Sequence, residues 1–258
     1  MKKIVATFAL ASAAFASLSF SGISQAQETI RFGMEATYPP FEFFNEKNEL
    51  TGFDVELANA ICAELDATCE FNNQPFDSLI PGLKFRRFDA VISGMDITPT
   101  RMEQVAFTQP YYENSAIFVA GISNDFKDAK DLIGKTVGVQ NGSTHQAYLI
   151  DKLEKQGLKT RPYDSYQNAL LDMTNGRVDA VFADTAVARE WLDQQGKGQY
   201  RTVGEEVKDA NYFGIGMGIA ARKGDPLVEK LNRALAQVKA SGVYQQLHAK
   251  YFNSSEVR

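Results

Sequence analysis

Eight residues of this chain, Arg87-Phe-Asp-Ala-Val-Ile-Ser-Gly94, return in altered form as Arg177-Val-Asp-Ala-Val-Phe-Ala-Asp184. Each copy follows a helical stretch, is apolar enough for a buried strand, and runs into polar residues. A chain that makes this move twice is held to an α/β architecture of two similar halves, with the strand ends of both facing one cleft. Chance recurrence is the alternative, because Asp-Ala-Val is a common way into a buried strand.

The rest of the chain alternates in the same manner. Strands are expected at 29–34, 70–72, 88–92, 116–120 and 136–139, and helices at 52–65, 76–83, 226–239 and 243–251. Pro81-Gly82 should disturb the second of these helices. Tyr38-Pro39-Pro40-Phe41 is a rigid loop, since two prolines forbid helix there. Gly214, Gly216 and Gly218 alternate with Ile215, Met217 and Ile219, which reads as a strand bare on one face and open to close backbone approach. It is no phosphate loop, because the glycine spacing is wrong and no helix opens after it.

The first 26 residues stand apart. Lys2 and Lys3 precede an apolar, small-residue stretch that ends in Ser24-Gln25-Ala26, the form of a cleavable secretory leader. A membrane anchor is the weaker reading, because Ala and Ser interrupt the run. No Cys follows closely enough for a lipid anchor. A mature chain starting at Gln27 would be exported and soluble. It would carry a net charge of −7, since the leader holds two Lys and no acid. That balance argues against nucleic acid and tolerates a cationic small ligand. Cys62 and Cys69 are the two cysteines; in an oxidising compartment a pair this close is most simply one disulfide. A metal site would want more Cys or His nearby, and His145 and His248 lie far off in sequence. No cofactor is expected.

Past the first copy of the octet comes Ser93-Gly94-Met95-Asp96-Ile97-Thr98-Pro99-Thr100-Arg101. An Asp can hold an ammonium, and an Arg can grip a carboxylate through two parallel hydrogen bonds. Five residues apart, beyond the carboxyl end of a strand, the two suit a free α-amino acid. The alternative is a capped helix start, with Thr98 as N-cap, Pro99 at the first helical position and Arg101 solvated. The two readings are compatible.

Six motifs together carry a resemblance: Glu35-Ala-Thr-Tyr-Pro-Pro-Phe41, Gly52-Phe-Asp54, Phe76-Asp-Ser-Leu-Ile-Pro81, Ser93 through Arg101, Gly142-Ser-Thr-His145 and Tyr212-Phe-Gly214. Over nearly its whole mature length the chain resembles the periplasmic amino-acid-binding proteins of polar-amino-acid ABC importers, and most of all the arginine-binding and lysine/arginine/ornithine-binding members. The resemblance implies a type II periplasmic-binding-protein fold: two α/β lobes, each a mixed sheet flanked by helices, joined by two hinge strands. Lobe 1 would be 27–116 plus 212–258 and lobe 2 would be 117–211. Ligand would close the lobes. The closed form, a monomer, would dock on an inner-membrane permease.

Carried over by motif, Arg101 holds the ligand α-carboxylate with backbone help near Asp96 and Thr144. Asp184, with Gly94 and Asp96, holds the α-ammonium. Tyr38 and Phe76 sandwich the side chain, because planar guanidinium stacks on aromatic faces. Glu35 receives the distal positive charge, with Ser93 and His145 nearby. Some lysine/arginine/ornithine binders carry Ser at the Asp96 position and Gln at the His145 position, so these two set this chain apart. The implied ligand is L-arginine, with lysine, ornithine or histidine as alternatives. Bland readings stand beside these: core aromatics at Tyr38 and Phe76, a helix cap at Asp184, a surface ion pair at Glu35.

Two other function classes compete. Some periplasmic dehydratases resemble these binding proteins, but an enzyme needs an acid or base beside a reacting bond. Here the charges of an arginine account for every acid in the motifs. The sensing module of a receptor would need a membrane span after the second lobe, and the sequence ends at Arg258.

Overall fold

The computed structural model describes residues 28–252. The leader 1–26 lies outside the described residues. Along the chain, β1 (Glu28–Met34), β2 (Thr37–Tyr38), β3 (Glu42–Phe44) and β4 (Leu50–Thr51) lead into helix α1 (Phe53–Glu64). Then follow β5 (Ala67–Asn73), a 3-10 turn at Phe76–Ser78, α2 (Leu79–Lys84), β6 (Ala90–Val91), α3 (Pro99–Met102) and β7 (Val105–Phe107). Next come β8 (Ala116–Gly121), β9 (Thr136–Gln140), α4 (Thr144–Tyr148), β10 (Lys159–Tyr163), α5 (Tyr166–Thr174), β11 (Ala180–Asp184), α6 (Thr185–Trp191) and β12 (Tyr200–Val207). The chain closes with β13 (Ala220–Arg222), α7 (Leu227–Ala240) and α8 (Val243–Phe252).

These strands form two five-stranded mixed sheets, ordered β5-β1-β6-β13-β7 and β10-β9-β11-β8-β12, plus a small sheet β2-β3-β4. In each large sheet the first three strands run parallel and the last two pair antiparallel. The echoed strands β6 and β11 take the same central place. Their register also matches: Phe32-Gly33 pairs with Ala90-Val91 as Val137-Gly138 pairs with Ala180-Val181.

The repeated Asp has one job in both copies. Asp89 N–H donates to Arg31 O (2.8 Å) and Asp179 N–H to Thr136 O (2.8 Å). In return each carboxylate accepts the neighbouring strand's N–H, Arg31 at 3.1 Å and Thr136 at 2.8 Å. A carboxylate at this spot satisfies the donor just ahead of the stretch where the echoed strand pairs with its parallel neighbour. The repeat of Asp-Ala-Val is thus a repeat of a structural need.

The chain passes between the large sheets twice, from β7 to β8 and from β12 to β13. The two crossings are bonded to each other, Met217 N–H to Tyr112 O and Tyr111 N–H to Met217 O, both at 2.8 Å. The glycine-alternating stretch lies in the second crossing. It is turn and isolated bridge, not the expected strand, because Gly216 sits at φ +96°. Close approach does hold there: a Cβ on Gly216 would lie 2.5 Å from Tyr112 O, and one on Gly214 would lie 2.4 Å from Ala210 Cα. The helix expected at 76–83 splits into the 3-10 turn and α2. Pro81 falls in the first turn of α2, where a missing N–H costs no helical bond.

Helices α1, α7 and α8 cover the first sheet. Leu227, Leu231, Ala234, Leu235 and Val238 put one buried stripe on α7. Cys62, near the end of α1, is disulfide-bonded to Cys69 in β5. Closing so short a loop removes modest entropy from the unfolded chain. Replacing both cysteines by Ser should lower stability by about 2–3 kcal/mol in urea titrations. An unchanged midpoint and slope would deny the bridge that role.

Candidate functional site

Strand ends from both sheets meet at one cavity. Tyr38, Phe76, Gly94 and Asp96 line it from the first half; Gln140, Ser143, Thr144, His145, Tyr166 and Asp184 line it from the second. Seven of the ten residues expected from sequence are therefore on its wall. The enclosed space is about 10 Å³, a single water-sized sphere. Anything as large as an amino acid enters only if the two halves part. A wider groove of about 560 Å³ adjoins it, walled by Thr98, Arg101, Gly142, Thr144 and Tyr212 among others.

Arg101 is positioned by the cap that its sequence announces. Thr98 Oγ1 accepts the Arg101 N–H (3.1 Å), with Pro99 at the first helical position. Cap and buried guanidinium coexist. The guanidinium donates to Asp96 O (2.9 Å) and, across the cleft, to Gly142 O (3.3 Å), and lies 5.4 Å over the Phe76 ring. Burial lowers its pKa, while Asp96 and Asp184 oppose that shift.

Asp96 and Asp184 come from different sheets and are both buried. Asp96 accepts from Thr144 Oγ1 (2.7 Å) and Asn114 Nδ2 (2.8 Å). Asp184 accepts from the Tyr38 hydroxyl and from the same Asn114 nitrogen (2.5 Å). Asp184 sits at the N-cap position of α6 yet makes no cap bond there, so its carboxylate is free for the cleft. Burial, then repulsion from Asp184, pushes Asp96 up to about 6. His145 Nε2 lies 3.0 Å from Asp184 Oδ1 but off hydrogen-bonding alignment; among the described residues neither ring nitrogen has a bonded partner. Its ring packs on Tyr166, Phe182 and Phe213.

Glu35 pairs with no lysine. It is buried, accepting from the Thr37 hydroxyl and, across the cleft, from Gln140 Nε2 (3.1 Å). Burial raises its pKa, and both donors oppose the rise. Tyr38 stacks on Tyr166, with ring centroids 5.3 Å apart, while Phe76 faces Arg101. Gly94 holds φ +51°, and a Cβ there would meet the Tyr38 ring at 2.9 Å. Ser93 is turned away from the cavity: its hydroxyl donates to Glu42 (2.7 Å) and accepts the Glu35 N–H (3.0 Å).

Sequence reasoning missed Asn114, Gln140 and Tyr166. Gln140 had a usable signal, a polar residue closing an apolar strand just before a Gly-Ser turn, as Asp184 closes β11. Asn114 and Tyr166 had none, for their roles come from partners that only the fold brings near: Asp96 and Asp184 for Asn114, Tyr38 for Tyr166.

The profile of the bacterial extracellular solute-binding proteins, family 3, matches residues 30–254. A putative ABC transporter arginine-binding protein 2 of Escherichia coli is 55% identical over 234 residues, 90% of this chain and 94% of that protein. ABC transporter arginine-binding protein 1 of the same species is 51% identical over 98% of this chain and 99% of its own length. Among solved structures, a periplasmic binding protein of Salmonella typhimurium, described for high arginine specificity, superposes with a TM-score of 0.82 at 48% identity, covering 87% of this chain and 99% of that one.

Behind Ser93 and Gly94 lies a second pair of acids. Glu42 and Asp54 are fully buried and within hydrogen-bonding reach of each other. Asp54 also accepts from Gly94 N–H (2.8 Å) and Tyr111 O–H (2.7 Å). One oxygen of each acid has no donor, so a shared proton is the way to satisfy both. Burial, then the charge of Asp54, pushes Glu42 well above the usual carboxylate range, and burial pushes Asp54 up to about 6. Both folded values exceed the unfolded ones. The folded state therefore keeps protons that the unfolded chain has released, and stability is lost as pH rises from the ordinary carboxylate range through about 6. Glu42→Gln removes one of the two acids and can donate to Asp54. It should raise thermal stability at pH 8, on the order of 1–3 kcal/mol, and change little at pH 4. Parallel pH curves for parent and variant would remove this pair as the titrating unit.

Proposed function

Since the chain belongs to the bacterial extracellular solute-binding proteins, family 3, we propose that it captures a cationic L-amino acid, arginine before lysine, ornithine or histidine, and hands it to the permease of an ABC importer. The observation that carries this is the charge of the buried site. The cleft buries three carboxyls, Glu35, Asp96 and Asp184, and one guanidinium, Arg101. A ligand with two cationic groups and one carboxylate halves that excess and gives each charged side chain an opposite partner, and arginine has this pattern. Membership of a solute-binding family supports a binding protein over an enzyme. The leader directs this protein to the periplasm.

In this reading Arg101 exchanges main-chain oxygens for the ligand α-carboxylate. Asp96 and Asp184 take the α-ammonium, and the guanidinium lies along Tyr38 and Phe76 with its charge on Glu35. Two lobes, 27–116 with 212–258 and 117–211, close on the ligand. The cavity of about 10 Å³ supports this, because entry and release then need separation of the halves. The bonds that span the cleft, Tyr38 to Asp184, Thr144 to Asp96, Gln140 to Glu35 and Arg101 to Gly142, are the contacts that opening breaks.

Calorimetry on ligand-stripped protein tests this. Arg101→Ala leaves a buried carboxylate without its partner and should cost about 3–5 kcal/mol, at least about a hundredfold, for every amino acid alike. A variant within threefold of the parent would exclude Arg101 as the anchor. For Glu35 the comparison is arginine against citrulline, which has nearly arginine's shape without its charge. The parent should prefer arginine by roughly ten- to a hundredfold. Glu35→Gln should shrink that gap by weakening arginine alone; an unchanged ratio would take Glu35 out of the site.

A further inference from the structure

Asn114 belongs to the first crossing between the sheets and is 9% exposed. Its side-chain oxygen accepts the Ser115 N–H (2.8 Å), which settles the direction in which the amide faces. Its nitrogen then presents one hydrogen to Asp96 Oδ1 (2.8 Å) and the other to Asp184 Oδ1 (2.5 Å). The support behind it is firm. Ser115 O accepts the Thr185 N–H (2.8 Å), and Ser115 Oγ is 2.9 Å from both Thr185 Oγ1 and Glu206 Oε2.

The other donors to the two carboxylates are arranged crosswise. Thr144, from the second half, serves Asp96 of the first; Tyr38, from the first half, serves Asp184 of the second. Both are lost when the halves part. Asn114 alone, among the described residues, donates to both acids, and it sits where the chain crosses.

We propose that Asn114 is a positioning residue for the ammonium subsite: it holds two like-charged carboxylates, one from each sheet, at a fixed gap that an α-ammonium then fills. The inference rests on the amino-acid-binding reading above. Its gain is preorganisation, because the repulsion between Asp96 and Asp184 is countered before the ligand arrives. The charged or titratable groups facing this pair are Tyr38 from β2, Arg101 from α3, Tyr111 and Tyr112 from the first crossing, His145 from α4 and Tyr166 from α5.

The test is calorimetry of L-arginine and of des-amino arginine, which lacks the α-ammonium, against parent, Asn114→Leu and Asn114→Asp. Leu nearly keeps the size and donates nothing. Arginine affinity should fall at least about tenfold in Asn114→Leu while des-amino arginine stays within about twofold, so that the preference for arginine collapses. Asn114→Asp puts a third carboxyl against the pair. Its arginine affinity should be poor at pH 8 and should recover on acidification, as the new acid takes a proton and donates again, whereas the parent gains nothing from acid. Equal losses for both ligands in Asn114→Leu would mark a scaffold role and overturn the proposal. So would an Asn114→Asp protein that tracks the parent's pH curve, which decides the matter if the Leu variant fails to fold. A parent that binds no arginine would refute the amino-acid-binding reading itself.

Discussion

Burying like charges side by side is expensive, and the cleft is organised around making that tolerable. Asp96 and Asp184 are each nearly inaccessible and reach the cavity from different sheets. Unpaired, they would repel across a medium that screens poorly. Each accepts two hydrogen bonds, and Arg101 lies close enough to counter the burial of Asp96. The donors come from β2, α4 and the first crossing, so the carboxylates tie together parts of the chain that are remote in sequence. The halves are thereby held together by polar contacts across the cleft.

The two halves solve the same folding problem by the same means, which is why so much of the fold was legible. The donor just ahead of each paired stretch needs an acceptor, and Asp89 and Asp179 both supply one. The residue after the repeated strand is then free to vary with function. In the first half it leads through Ser93 and Gly94 to Asp96; in the second it is Asp184 itself. The octet thus announced both the core of each sheet and the place where chemistry begins. Thr98-Pro99 was equally legible, because a cap is a local bond between neighbours. Local rules failed at Gly214 to Gly218. Alternating glycines do mark close approach, but a positive φ at Gly216 bends the chain away from strand geometry, and composition does not report a dihedral.

The site itself was only half legible, for a related reason. Glu35, Asp96, Arg101 and Asp184 carry charge, and buried charge near a strand end stands out. Asn114 and Gln140 are neutral amides whose importance lies entirely in what they face. Tyr166 is one aromatic among many until the fold lays it on Tyr38. Ser93 was expected near Glu35 and is bonded to it, its hydroxyl accepting the Glu35 N–H while donating to Glu42 in the wall behind the cavity.

That wall gives the cleft two acidic layers with different duties. The inner layer, Glu42 and Asp54, has no cation against it and keeps a proton. Its remaining oxygens fix the hydroxyl of Ser93 and the backbone of Gly94. Ser93 in turn accepts the Glu35 N–H, and Gly94 packs on Tyr38. The outer layer, Glu35, Asp96 and Asp184, stands in front of that fixed wall and relies on donors that bridge the cleft. The outer acids accept from amides and hydroxyls, donors that stabilise charge without neutralising it. Which acids keep a proton and which face a ligand therefore follows from where the donors stand, not from the acids themselves.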